Sequence, residues 1–358
     1  MQKFSRMPAH LSDLPPPAAG QLETARRAAL DWLFARGYEL HLPPLAEYAE
    51  ALAAGDESLH LDIFKMTDTL SGQTLGIRAD HTPQTARFDA AAGGAPRRLC
   101  YCGPALRARP PQAWKGREIM QIGAEIFNLP APAADWEIIH AAAGALRAAG
   151  IADIAVDIGH AGIIRRLLET FPPEERETLA QHAARRDSAA LRDAAGGNSA
   201  LAKLLDDGND LARARKYAGG ESETDIDGLA HILRMLHLEG IDAAPNFGET
   251  GGYGYHTGVV FSIYGKDFAA ARGGRYERPG FRPAVGFSMD LREILEHLSP
   301  APPRPEPVAC PPSEDESWFA AVAVLQKQNR AVRFAAEENP PPPVLEKTSE
   351  GGWKVRET

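Results

Sequence analysis

Asp80 and Thr82 stand two apart in Arg78-Ala-Asp-His-Thr-Pro83. An ammonium group is well held by a carboxylate and a hydroxyl acceptor placed close together, and on an extended segment these two residues share a face. The plainer reading is a polar strand end with a helix beginning near Pro83. Gln121 and Glu125, four apart in Arg117-Glu-Ile-Met-Gln-Ile-Gly-Ala-Glu125, share one face of a strand. Such a pair is either solvent-exposed or part of a site. Gly123 between them and the spacing to Arg107 favour a site. Two glycine-rich runs follow, Gly251-Gly-Tyr-Gly-Tyr255-His256-Thr-Gly-Val-Val-Phe261 and Arg272-Gly-Gly-Arg-Tyr276. The second lacks the glycine spacing of a dinucleotide loop and opens no helix, which argues against a Rossmann site. No metal or other cofactor is expected. The eleven histidines are scattered without ligand spacing, and Cys100-x-Cys102 is spaced more closely than zinc ligands usually are. The two cysteines read as small residues packing on one face of a strand.

The elements that must position these residues follow from periodicity. Leu22, Ala25, Ala29, Trp32 and Leu33 recur at helical spacing, Gly37 stops that helix, and Tyr38–Leu42 reads as a strand. Ile63–Met66 and Thr74–Arg78 flank a Ser71-Gly72 hairpin turn. Leu99–Cys102 and Arg117–Phe127 are strands separated by a loop rich in Pro and Arg. Trp136–Ala149 is a helix ended by Gly150, with the strand Ile154–Ile158 after it. From about residue 161 to 240 the pattern is helical throughout, an insertion of roughly 80 residues that could pack as its own subdomain. Strands return at Gly258–Tyr264 and Arg272–Tyr276, before a helix at Asp290–Leu298. Residues 1–300 therefore read as one core with a helical insertion. Residues 301–358 read as a proline-rich linker and a small α/β unit, built from Val308–Ala309, the helix Ser317–Gln328, Val332–Ala335 and Trp353–Val355.

With 358 residues, 44% hydrophobic and 24% charged, the composition is that of a globular protein able to bury a large core. No stretch is long and apolar enough to span a membrane, and the first 17 residues lack the apolar core of a secretory signal. Three cysteines, an odd and sparse set, fit a reducing compartment. A cytoplasmic location is expected. The formal net charge is -9, which disfavours a nucleic-acid partner, because gripping phosphates needs a concentrated basic face.

The motifs, taken in order, resemble the histidyl-tRNA synthetases of class II. The segment Arg78–Arg87 is similar to the one in which an acidic residue and a threonine hold the histidine α-amino group. Tyr101–Gln112 with Arg117–Glu125 resembles motif 2, and Pro283–Glu293 resembles motif 3. The helix–Gly37-Tyr38–strand–Pro43-Pro44 pattern is similar to motif 1, the dimer element. The resemblance covers about residues 10–298. It implies an α+β fold, a class II synthetase-like antiparallel sheet flanked by helices. It also implies a histidine-like pocket: Asp80, Thr82 and Gln121 toward the amino group, Arg107 toward a carboxylate or phosphate, and Glu125, Tyr255, His256 and Tyr276 around an imidazole. His256 replaces the second of the family's paired tyrosines.

The same resemblance shows where the enzyme is missing. The family's arginine four residues before the tyrosine pair aligns with Gly251. Its motif 3 arginine aligns with Glu293 and a nearby glycine with Asp290, while Arg109 replaces the acidic residue after Arg107. Removing one such charge-stabilising donor costs about two to three orders of magnitude in rate. Only about 55 residues follow Pro300, where these synthetases carry a full anticodon-binding domain. A histidine pocket on a dimer without activation chemistry resembles the regulatory subunits of ATP phosphoribosyltransferase. That family implies a non-catalytic chain that assembles with short-form catalytic subunits, is needed for their activity, and takes part in feedback inhibition by histidine. The alternatives are a histidyl-tRNA synthetase-like activating enzyme, a tRNA-sensing module, and a scaffold with an empty pocket.

Overall fold

The strand Glu118–Phe127 alternates Gln121, Gly123 and Glu125 with Ile122, Ala124 and Ile126, so one face carries polar and small groups and the other is apolar. In a computed structural model this strand lies in an eight-stranded sheet. The order across the sheet is Glu39–Leu40, Arg97–Leu106, Glu118–Phe127, Ala284–Asp290, Ala269–Tyr276, His256–Tyr264, Ala155–His160 and Asp242–Pro245. The pairings at the two edges are parallel and the five between them antiparallel. The structure describes residues 7–110, 116–184, 187–196, 199–207, 209–248, 256–278, 280–298, 306–334 and 343–357.

On the apolar face, Cys100, Ile122, Ala124, Ile126, Val285 and Phe287 share one core with the helices Ala18–Phe34 and Ala133–Ala149. Full burial of a side chain such as Leu33 or Ile139 contributes about 1.5–3 kcal/mol each. The two helices approach closely because Gly144 leaves room for the Trp32 ring; a Cβ there would lie 1.9 Å from it. Gly150 ends the second helix at φ 111°, as the sequence suggests. Cys100 and Cys102 face this core, and burial pushes their thiols up to about 12 and about 11.

Between Ala161 and Leu238 the described residues form helices only, the last being Glu223–Leu238. A second, three-stranded sheet (Ala46–Tyr48, Thr74–Ile77, Phe64–Thr67) leads into the site, its hairpin turned by Gly72 at φ 71°. The helix expected at Asp290–Leu298 is shorter. Ala284–Asp290 is a strand, and its Asp290 caps the helix Leu291–Ile294 by accepting from the Arg292 amide at 2.9 Å.

The chain divides into two units, Met1–Ser299 and Pro300–Thr358. In the second, Val308–Cys310 pairs in parallel with Val332–Phe334 and with Val344–Lys347, and Trp353–Arg356 runs antiparallel on the latter. The helix Glu316–Lys327 packs Trp318, Val322 and Leu325 on Val308 and Cys310.

Candidate functional site

The face of the eight-stranded sheet away from the helices carries a connected set of polar side chains. After the strand Thr74–Ile77 the chain turns into the helix Thr82–Ala92, with Pro83 in its first turn. Asp80 and Thr82 meet through that turn rather than along an extended segment, because His81 between them is already helical (φ -84°, ψ -26°). Asp80 Oδ1 accepts from the Thr82 amide at 2.8 Å and from Gln121 Nε2 at 3.1 Å. Gln121 Oε1 in turn accepts from the His81 amide at 3.0 Å and lies 2.7 Å from His81 Nδ1. The Thr82 hydroxyl donates to Glu125 Oε1 at 2.9 Å, and the Tyr276 hydroxyl donates to Glu125 Oε2 at 3.1 Å. Asp80, Thr82, Gln121, Glu125 and Tyr276 thus form one hydrogen-bonded chain.

Gln121 is 2% exposed and Glu125 1%, which disposes of the solvent-exposed reading of this pair. Burial pushes the Glu125 carboxyl up to about 8, outweighing the downward pull of the two hydroxyl donors. Burial, helped by the nearby Arg78 guanidinium, brings His81 down to about 4. Gly286 lies beside Glu125 and Gly274 beside Gly286 in register. The His256 ring lies over Gly274, where a Cβ would meet its Cδ2 at 2.7 Å, and His256 pairs in register with Tyr276. Tyr255 lies outside the described residues.

Arg107 is not part of this chain. It lines an adjoining cleft of about 700 Å³ that Gln121 also borders. Three guanidinium groups (Arg107, Arg272, Arg292) line the cleft against five carboxyls (Asp13, Glu118, Asp290, Glu293, Glu296). Arg292 is engaged at the rim, donating to Glu118 Oε2 at 2.8 Å and to the Ser12 carbonyl at 2.9 Å. Asp290 also accepts from the Met120 amide at 3.1 Å, and burial raises its carboxyl above the ordinary range. Among the described residues the cleft therefore carries more carboxyls than guanidinium groups.

The family model for histidyl-tRNA synthetase matches residues 10–294. An ATP phosphoribosyltransferase regulatory subunit from Bordetella pertussis is 36% identical over 357 residues, covering 91% of this chain and 90% of that protein. The chain belongs to the family of ATP phosphoribosyltransferase regulatory subunits. Two solved structures share the regulatory-subunit fold. One is an ATP phosphoribosyltransferase regulatory subunit/histidyl-tRNA synthetase from Bacillus halodurans, 24% identical, with TM-score 0.82 and 95% of each chain covered. The other is the HisG:HisZ complex of ATP phosphoribosyl transferase from Thermotoga maritima, 16% identical, with TM-score 0.62, covering 74% of this chain and 96% of that one. The architecture is the class II synthetase-like fold of this family.

In this regulatory-subunit fold the site includes residues that sequence reasoning passed over. His81 stacks on Tyr101, with ring centroids 4.9 Å apart and planes 1° from parallel. The Tyr101 hydroxyl lies 3.3 Å from Thr82 Oγ1. The signal for His81 was its place between Asp80 and Thr82; reading that segment as extended turned it away. Arg165, on the helix Ala161–Glu169 at the start of the inserted region, donates to the His256 carbonyl at 2.5 Å. Nothing in its sequence surroundings marks that contact.

Proposed function

We propose that this chain is the non-catalytic regulatory subunit of an ATP phosphoribosyltransferase. On this reading it is required for activity of a short-form catalytic subunit and confers feedback inhibition by histidine on the first step of histidine biosynthesis. The supporting observation is the near full-length likeness to curated subunits of that name, in a chain that keeps the linked set Asp80, Thr82, Gln121, Glu125 and Tyr276. Histidine is the effector. Its ammonium group goes to Asp80, Thr82 and Gln121, and its ring to Glu125, Tyr276, His256 and Tyr255, with Arg107 on the carboxylate side.

Adenylation is lost. A phosphate entering the cleft meets Glu293 and Asp290, where fixed cations would be needed to stabilise developing charge. The chain self-associates through the class II dimer face, where Leu40, Leu42, Tyr48 and Phe88 are exposed, Leu42 to 70%. It binds neither nucleic acid nor membrane and works in the cytoplasm. Among the described residues no helix is long and apolar enough to cross a membrane.

The test is ATP phosphoribosyltransferase activity of a short catalytic subunit, with and without this chain, across a histidine titration. Activity that needs both chains and falls as histidine rises is the expected result. Absence of both stimulation and co-elution would reject the reading, as would histidine-dependent ATP–pyrophosphate exchange by this chain alone.

A further inference from the structure

Glu125 is a carboxyl only 1% exposed, and its surroundings fix what it can recognise. Its carboxyl lies over Gly286, with no room even for a methyl group beneath it. Hydroxyls of Thr82 and Tyr276 occupy its two oxygens. Hydroxyls donate or accept as required, so they satisfy the acid as well as the carboxylate. Among the described residues, the hydrogen-bond partners of Glu125 are the Thr82 and Tyr276 hydroxyls, neither of them a cation. From the start of the helix Thr82–Ala92 come Asp80, whose negative charge opposes ionisation of Glu125, and His81, which turns to Gln121 and is held neutral by burial. The neighbouring strands supply Tyr101 and Tyr276, and His256 lies over Gly274. Arg278, beyond Tyr276, forms an ion pair with Asp56 at 3.3 Å, and its charge pulls the Glu125 carboxyl down less strongly than burial raises it. An ionised carboxylate in such a place is costly without a partner cation, and the acid is the stable form.

We propose that this pocket takes the uncharged form of an azole ring that carries both an N–H and a bare nitrogen, with Glu125 entering the complex as a carboxylic acid that donates to the bare nitrogen. The inference rests on the histidine-pocket reading above and specifies which protonation state of the ligand the pocket selects. Asp80 is then left to meet the ligand's ammonium group. The ring arrives neutral and Glu125 brings its own proton, so binding near pH 7 neither takes up nor releases a proton at the ring. Because burial holds the Glu125 carboxyl at about 8, the acid persists across the neutral range. Free imidazole protonates below about pH 6.5. A ligand already protonated must shed that proton to enter.

The experiment is calorimetric titration of the full chain between pH 5.5 and 7.5 with histidine and with 1,2,4-triazole-3-alanine, whose ring stays neutral throughout. Histidine affinity should fall by about tenfold from pH 7.5 to 5.5, following the ring's own protonation, while the triazole affinity stays level. Glu125→Gln, a neutral group that still donates, should retain binding of both compounds within about tenfold. Histidine binding that tightens toward pH 5.5, with triazole binding and the Glu125→Gln variant each weaker by a hundredfold or more, would overturn the proposal and leave the histidine pocket standing. No binding of either compound at any pH would overturn the pocket reading and this inference with it.

Discussion

Glu125 and Gly286 face one another across neighbouring strands, and a Cβ on residue 286 would stand 1.8 Å from Glu125 Oε2. The carboxyl can lie flat on the sheet only because its neighbour has no side chain. Gly286→Ala should therefore displace Glu125 from the Thr82 and Tyr276 hydroxyls. Overpacking of this kind costs about 1–3 kcal/mol. We expect a lower thermal midpoint and a loss of histidine binding larger than the stability change accounts for, read by thermal unfolding and calorimetry on one sample.

The pH dependence of stability carries the mark of Glu125. Burial pushes its carboxyl up to about 8 in the folded chain, against the ordinary glutamate value of 4.5 when unfolded. Between those values the folded state holds a proton that the unfolded state has released, so rising pH favours unfolding. The loss is about 1.4 kcal/mol per pH unit for one fully linked proton, and it levels off above the folded value. In urea unfolding at pH 6 and pH 8, Glu125→Gln should lose less stability between the two than wild type does. An unchanged difference would remove Glu125 as its source.

Asp89 is fully buried on the helix that begins at Thr82, and both its oxygens pair with the Arg282 guanidinium, one of them at 2.7 Å. Arg282→Met strands that carboxylate. Removing one partner of a buried pair costs roughly 3–5 kcal/mol, reduced here because Arg282 is 19% exposed. The expected outcome is a clear drop in urea midpoint, with histidine binding weakened in parallel because the same helix carries Thr82.

Leu42 tests the assembly. It is 70% exposed, and Leu42→Asp on the proposed dimer face should shift sedimentation toward the monomer. The cost to the isolated chain should stay within about 0.5 kcal/mol, as for other surface changes. A variant that sediments as wild type would put self-association elsewhere.

Much of this arrangement was legible in the sequence for physical reasons. Leu22 to Leu33 kept strict helical spacing, and Gly72 and Gly150 marked backbone that turns left-handed. The strand Ala284–Asp290 was harder to read because its site face carries Gly286 and Ser288, whose smallness serves the pocket and erases the apolar alternation. Gln121 and Glu125 could be placed on one strand face by periodicity, which is local, whereas Tyr276 was recognised only through the resemblance of Arg272–Tyr276 to the family's glycine-rich strand. His81 was missed because its backbone is set by a turn that Asp80 makes with the Thr82 amide. The separation of Arg107 from the polar chain depends on where the Arg97–Leu106 strand ends, and no local pattern reports that.

Asp290 holds two amides at once, those of Arg292 and Met120. Glycine at this position would lose only about a few tenths of a kcal/mol of helix capping, but it would leave the Met120 amide without its acceptor, at a cost of about 1–3 kcal/mol if that donor stays unpaired. Asparagine would keep both bonds and shed only the charge. Position 290 should therefore tolerate a neutral asparagine better than glycine, because what the backbone around the cleft requires there is an acceptor and not a charge.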